Sequence, residues 1–190
     1  MNALSSRTLA LKDYLPISSP TLWGSDDGVE VRSRLVKEID KLTSVHIIYL
    51  SMEGIENIDA SFSREAIVKT IKNYRPGKGF CLTDIENPDY LDNLFSPAVK
   101  LEQPVFIKID NSYQIIGPNR ENAPSKTNQP ILDYIQSHGH ATAVELAKAL
   151  SLQLTNASTK LKQLLEQGFV LRAQDSTAGP GLEYFYYPIR

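Results

Sequence analysis

A chain of 190 residues, 42% hydrophobic and 22% charged with a formal charge of −2, has ordinary globular composition and room for one large or two small domains. No apolar run approaches the ~18 residues of a membrane-spanning helix, and Met1–Ala10 lacks a basic start followed by an apolar stretch, so neither a transmembrane segment nor a signal peptide is expected. The single Cys81 excludes an internal disulfide and fits a reducing cytoplasm; its apolar strand context predicts a buried, inert thiol.

Met1–Asp27 has no clear period. Leu9, Leu11 and Leu15 fit an edge strand or a short helix, and Trp23 is expected to pack on the domain behind it. Asp26-Asp27-Gly28 opens a helix whose apolar face is Val31, Leu35, Ile39 and Leu42, with Arg32, Arg34, Lys37, Glu38 and Lys41 elsewhere on the wheel. Val45–Leu50 is nearly continuous apolar sequence. That is the pattern of a strand covered on both faces, and it indicates a parallel α/β sheet. Ile55–Ala60 reads as a loop and Ser61–Tyr74 as a helix with Phe62, Ile67, Val68 and Ile71 inward, stopped by Arg75-Pro76-Gly77. Gly79–Asp84 is the next strand and Pro88–Phe95 a short helix. Val105–Ile109 and Tyr113–Ile116 form a hairpin around Asp110-Asn111-Ser112. Residues 1–117 therefore predict an α/β domain, a mixed sheet of about four or five strands flanked by helices. Residues 118–128, with Pro118, Asn119, Asn122, Pro124, Ser125 and Asn128, read as a partly flexible linker.

Residues 129–190 carry a different pattern. An apolar helix around Ile131–Ile135 precedes Thr142–Leu150, in which Thr142 and Glu145 have capping-box spacing. A third helix runs from Thr155 as N-cap to Gly168 at its end, with Ala157, Leu161, Leu164 and Leu165 inward. Phe169–Ala173 and Leu182–Tyr187 read as strands around a loop rich in Gly and Pro. Three helices followed by a β-ribbon make an α+β winged helix-turn-helix. Glu145-Leu146-Ala147 and Leu161–Val170 resemble small bacterial transcription regulators of this fold, which implies binding of double-stranded DNA.

A second resemblance covers about Val29–Val99. Gly28–Leu42, the strand Val45–Leu50 and the corner Gly54–Phe62, best in Ile58-Asp59-Ala60-Ser61-Phe62, look like a STAS-like domain. Such relatives of anti-sigma-factor antagonists occur in bacteria and archaea beside kinase-like ATPases or DNA-binding modules. The resemblance implies a signal or protein partner for the first domain. It also singles out Ser61 and Ser63, because in that class a serine near this corner is phosphorylated to switch partners. Aligning Asp59 with the aspartate of the usual Asp-Ser-Ser-Gly motif places Ala60 at the acceptor position, and the plainer reading makes Ser61 a helix N-cap.

If DNA is bound, the third helix reads it with Thr155, Asn156, Ser158, Thr159, Lys160, Lys162 and Gln163. Amides suit adenine, lysine suits guanine, and hydroxyls suit phosphates or bases. Arg172 at the base of the wing offers a phosphate contact, whereas the wing tip Gln174–Gly181 contains no Lys or Arg. The aromatic run Tyr184–Tyr187 is expected to pack the ribbon on the helices with alternate rings inward. Lys148, Lys160, Lys162, Arg172 and Arg190 are balanced by Asp133, Glu145, Glu166, Asp175 and Glu183. A neutral module makes few phosphate contacts, which predicts a homodimer. Asp84, Glu86, Asp89 and Asp92 read as an acidic loop rather than a metal or acid–base site. His138 and His140 lack a third ligand nearby in sequence. Nothing resembles a phosphate-cradling glycine loop or a nucleophile elbow. The expectation is a cytoplasmic prokaryotic transcription regulator, not an enzyme, with no cofactor and no membrane contact. The alternative is a signalling adaptor that binds protein and not DNA.

Overall fold

Residues 4–16, 21–117, 124–174 and 184–190 are described in the computed structural model. The chain runs β1 (Ser6–Ala10), a 3-10 turn (Leu11–Tyr14), β2 (Thr21–Leu22), α1 (Gly24–Ile39), β3 (Ile47–Ser51) and β4 (Asn57–Ile58). It continues with α2 (Ala60–Phe62), a π-helical stretch (Ser63–Val68), α3 (Lys69–Tyr74), β5 (Gly79–Thr83), α4 (Asp89–Lys100), β6 (Val105–Ile109) and β7 (Ser112–Ile116). Then follow α5 (Gln129–His138), α6 (Ala143–Ala149), α7 (Leu154–Gln167), β8 (Val170–Gln174) and β9 (Tyr184–Pro188). Among the described residues no helix is long and apolar enough to cross a membrane.

The main sheet has the order β1-β3-β5-β6-β7. Its first four strands are parallel and β7 returns antiparallel at the edge. The β6–β7 register pairs Ile109 with Ser112, so Asp110 and Asn111 form a two-residue turn, with Asp110 at φ 53°. The N-terminal ambiguity resolves into both elements in succession: Leu9 is buried in an edge strand and Leu11 in the turn after it. Trp23 does not pack as expected; it is 56% exposed at the start of α1.

Alternation along the strands divides the core into two. Ile48, Leu50, Phe80, Leu82, Val105 and Ile107 point to one face. There they meet Val31, Leu35 and Ile39 of α1, Phe62, Ile67 and Ile71 of the next helical run, and Tyr90 and Leu94 of α4. Ile47, Cys81 and Phe106 point to the opposite face and join Ile131, Leu132 and Ile135 of α5, Leu161 and Leu164 of α7, and Leu171 and Ile189 of the ribbon. Strand β3 is thus covered on both sides, as its continuous apolar sequence requires. The second cover comes from the C-terminal module rather than from a helix of the same unit. Cys81 is fully buried there, and burial pushes its thiol up to about 12.

The corner before α2 has a local cause. The backbone N–H of Phe62 donates to Asp59 Oδ1 at 2.6 Å and that of Gly24 donates to Asp59 Oδ2 at 3.0 Å. One carboxylate therefore caps the starts of both α2 and α1. Ser61 lies inside the helix and is not its cap. Farther along, buried Glu65 accepts from Lys69 Nζ at 2.7 Å and from Arg64 Nε at 3.1 Å, with Arg32 at 3.6 Å. Burial raises the carboxyl pKa, but the hydrogen bonds from Lys69 and Arg64 outweigh it, and the net pKa lies below the ordinary value.

Residues 118–123 of the expected linker lie outside the described residues, as does most of the wing loop, 175–183. The last part of the linker is packed rather than loose, with Pro124 and Asn128 buried.

Candidate nucleic-acid interface

Local chemistry sets each helix of the C-terminal module. At α6 the capping box closes both ways: Glu145 N–H donates to Thr142 Oγ1 at 3.2 Å, and Thr142 N–H donates to Glu145 Oε2 at 2.8 Å. Helix α7 starts two residues earlier than its sequence suggests. Gln153 occupies the N-cap without a side-chain bond, and Thr155 lies within the first turn. Ala157, Leu161, Leu164 and Leu165 face the core, and Gly168 ends the helix in the left-handed region at φ 84°.

The opposite side of α7 presents Thr155, Asn156, Ser158, Thr159, Lys162 and Gln163 to solvent, with Leu154 52% exposed at its tip. No acid lies in the first turn and no side chain caps it, so the positive end of the helix dipole is uncovered. Thr159 Oγ1 donates to the carbonyl of Thr155 at 2.8 Å, which leaves its lone pairs free to accept.

The two lysines differ. Lys160 is half-buried, and its Nζ donates to Asn128 Oδ1 at 3.1 Å and to the Thr127 carbonyl at 3.3 Å. It ties α7 to the start of α5 and is not the exposed reader its sequence position suggests. Lys162 is 71% exposed and lies 3.8 Å from Glu166, itself 60% exposed; such a pair is weak and exchanges readily. Arg172 is exposed on β8 with its guanidinium 4.3 Å from the Tyr184 ring centre.

The other sequence candidates are scattered. Tyr186 is buried, whereas Tyr184, Phe185 and Tyr187 are half-buried. Phe185 and Tyr187 flank His140 at 5.6 and 6.0 Å, and His138 stacks on Tyr134 at 3.9 Å. Asp84, Glu86, Asp89 and Asp92 are exposed. Among the described residues no three of His, Cys, Asp and Glu gather to hold a metal ion. Ser61 is half-buried, but Ser63 is fully buried with its Oγ unpartnered, so a modifying enzyme cannot reach it in this fold.

Arg75, which reads in sequence only as part of a helix stop, proves central. Its Nη1 donates to the carbonyls of Glu102 at 3.0 Å and Gln167 at 3.2 Å, and to Gln103 Oε1 at 3.2 Å. A cation from the α/β unit thus sits on the last carbonyl of α7, that of Gln167, where the helix dipole favours it. Its partner Gln167 lies 92 residues away, so no local pattern points to it. A Cβ on Gly168 would lie 2.7 Å from Arg75 Cδ, and one on Gly79 would lie 2.9 Å from Ile189 and 3.1 Å from Leu171. The space left in this seam is about 10 Å³, no more than one water fills. Helix α7 is held closely on the sheet.

Residues 127–177 match the family model of the MarR family. The match covers α5 to β8 and none of the five-stranded sheet. It supports a winged helix of that kind in the C-terminal module, and the MarR family implies DNA-binding transcription regulation. No curated protein matches the chain.

Proposed function

We propose that this chain is a cytoplasmic prokaryotic transcription regulator that binds duplex DNA with α7 in the major groove. The exposed polar face of α7, with its uncapped first turn, carries this reading. Asn156 and Gln163 suit adenine edges, Lys162 a guanine, and Thr155, Ser158 and Thr159 phosphates or bases. Arg172 reaches a phosphate, and Lys160 positions α7 rather than reading a base. With one exposed lysine on α7 and a neutral module, two copies are needed for tight binding, so the working form is a homodimer. The domain 1–117 is STAS-like and receives a signal or protein partner; support comes from the Ile58–Phe62 corner, where Asp59 locks two helix starts together. Ser61 is the accessible one of the two candidate serines. No cofactor is invoked.

Two observations favour a second reading, an adaptor that binds protein only. Lys160 is engaged within the fold and Lys162 has an acidic neighbour, which weakens the electrostatic attraction to DNA. Retention of genomic fragments on the purified protein decides between them. Particular fragments held at physiological salt by the wild type, and released by Lys162→Ala with Arg172→Ala, establish the regulator. No retention even at low salt overturns it and leaves the adaptor.

A further inference from the structure

The crossover helices all lie on one face of the sheet, and the winged helix covers only part of the other. Near the carboxyl ends of the parallel strands that second face opens into a hollow of about 500 Å³, within the range of small-molecule sites. Thr8, Tyr49, Thr83, Asp84, Lys108 and Asp110 line it. The two-residue period of the strands explains the set: Thr8 pairs with Tyr49 in one row, and Thr83 and Lys108 belong to the next row up.

Charges of both signs meet here without neutralising each other. Among the described residues no ion pair joins Lys108 to Asp84 or Asp110. Lys108 Nζ instead lies 5.7 Å from the Tyr113 ring centre, and Asp84 accepts from its neighbour Thr83 Oγ1 at 2.9 Å. A ligand of one sign would leave a like charge unmet. A ligand with an ammonium and a carboxylate satisfies both, and the hydroxyls of Thr8 and Tyr49 add hydrogen bonds to its polar body.

We propose that this hollow binds a small zwitterion of amino-acid size, its carboxylate on Lys108 and its ammonium between Asp84 and Asp110. Tyr49 lines the hollow and also packs against the core shared with the winged helix, so an occupied hollow bears on how that module sits. The site stands on its own residues and does not depend on DNA binding.

The test is thermal denaturation of the full chain with each proteinogenic amino acid, and with the amine and the carboxylic acid matching any that acts. Lys108→Met and Asp84→Asn serve as variants; Asn tolerates the left-handed backbone of Asp84, φ 56°. The expected result is a saturable rise in Tm with at least one amino acid, weaker by about tenfold or more in apparent affinity in each variant, and lost with either single-charge analogue. No saturable rise with any amino acid, or a rise equal in both variants and the wild type, overturns the proposal. Fragment retention measured on the same preparations separates this outcome from failure of DNA binding.

Discussion

The two faces of the central sheet are built in opposite ways. The face against α1, α2–α3 and α4 is closed by the crossovers that link successive strands, so its partners are near in sequence. The other is covered in part by a module that begins only after β7, with Phe106, Cys81 and Ile47 in one core with Leu164, Leu171 and Ile189. The chain has two segments by sequence but shares one sheet between two cores. The winged helix is therefore mounted on the sheet, and its orientation is set by the domain beneath it.

The strongest way to break this comparison is to truncate neighbours on β6 that face opposite cores. Ile107→Ala on the helix side and Phe106→Ala on the winged-helix side are each expected to cost about 2–5 kcal/mol, with a single transition in denaturant. A Phe106→Ala protein that melts in two steps would show the winged helix to be separately stable. Cys81 sharpens the point without mutation. Labelling of its thiol is expected to track global unfolding, because the module must leave the sheet to expose it. Fast labelling of a protein that keeps its native spectrum would mean that the module swings free.

Smaller effects follow at Glu65 and Gly168. Glu65→Gln weakens the ties to Arg32, Arg64 and Lys69 and is expected to cost about 1–3 kcal/mol, held down because those cations remain partly exposed. The folded carboxyl pKa lies below its ordinary value of 4.5, so its stabilisation is full above that pH and fades as pH falls through the folded value. Acid titration of stability should show this loss in the wild type and not in the variant. Gly168→Ala sets a Cβ at φ 84° and against Arg75, with an expected loss of about 1–2 kcal/mol by denaturant titration. The smallest effect on the fold is Lys162→Ala, within about 0.5 kcal/mol of the wild type. Its readout is DNA binding, where the salt slope should fall by about 1 if Lys162 meets a phosphate.

What the sequence made legible follows the same division. Val31, Leu35 and Ile39 repeat at helical spacing and are buried, and the Thr142–Glu145 box caps α6 as its spacing predicts. The inward set Ala157, Leu161, Leu164 and Leu165 is likewise buried. These are local signals, fixed within a few residues. Trp23, Ser61 and Lys160 went otherwise for reasons that helical period does not carry. Trp23 stays exposed beside buried Leu22, Asp59 takes the capping role, and Asn128 with Thr127, more than 30 residues away, captures Lys160. On the candidate reading surface the polar residues of α7 were readable from helical period alone. Arg75 was not, since a guanidinium has no periodic signature and its partner lies in another module.

Gly168 and Arg75 also carry a consequence for inheritance. The glycine meets the arginine stem so closely that a side chain at one position requires a smaller or differently placed one at the other. The left-handed backbone at φ 84° strains any side chain at Gly168 even after Arg75 is shortened, so the glycine is expected to persist among descendants of this sequence while the arginine is free to shrink. The joint between the sheet and the helix it carries is inherited first through its glycine.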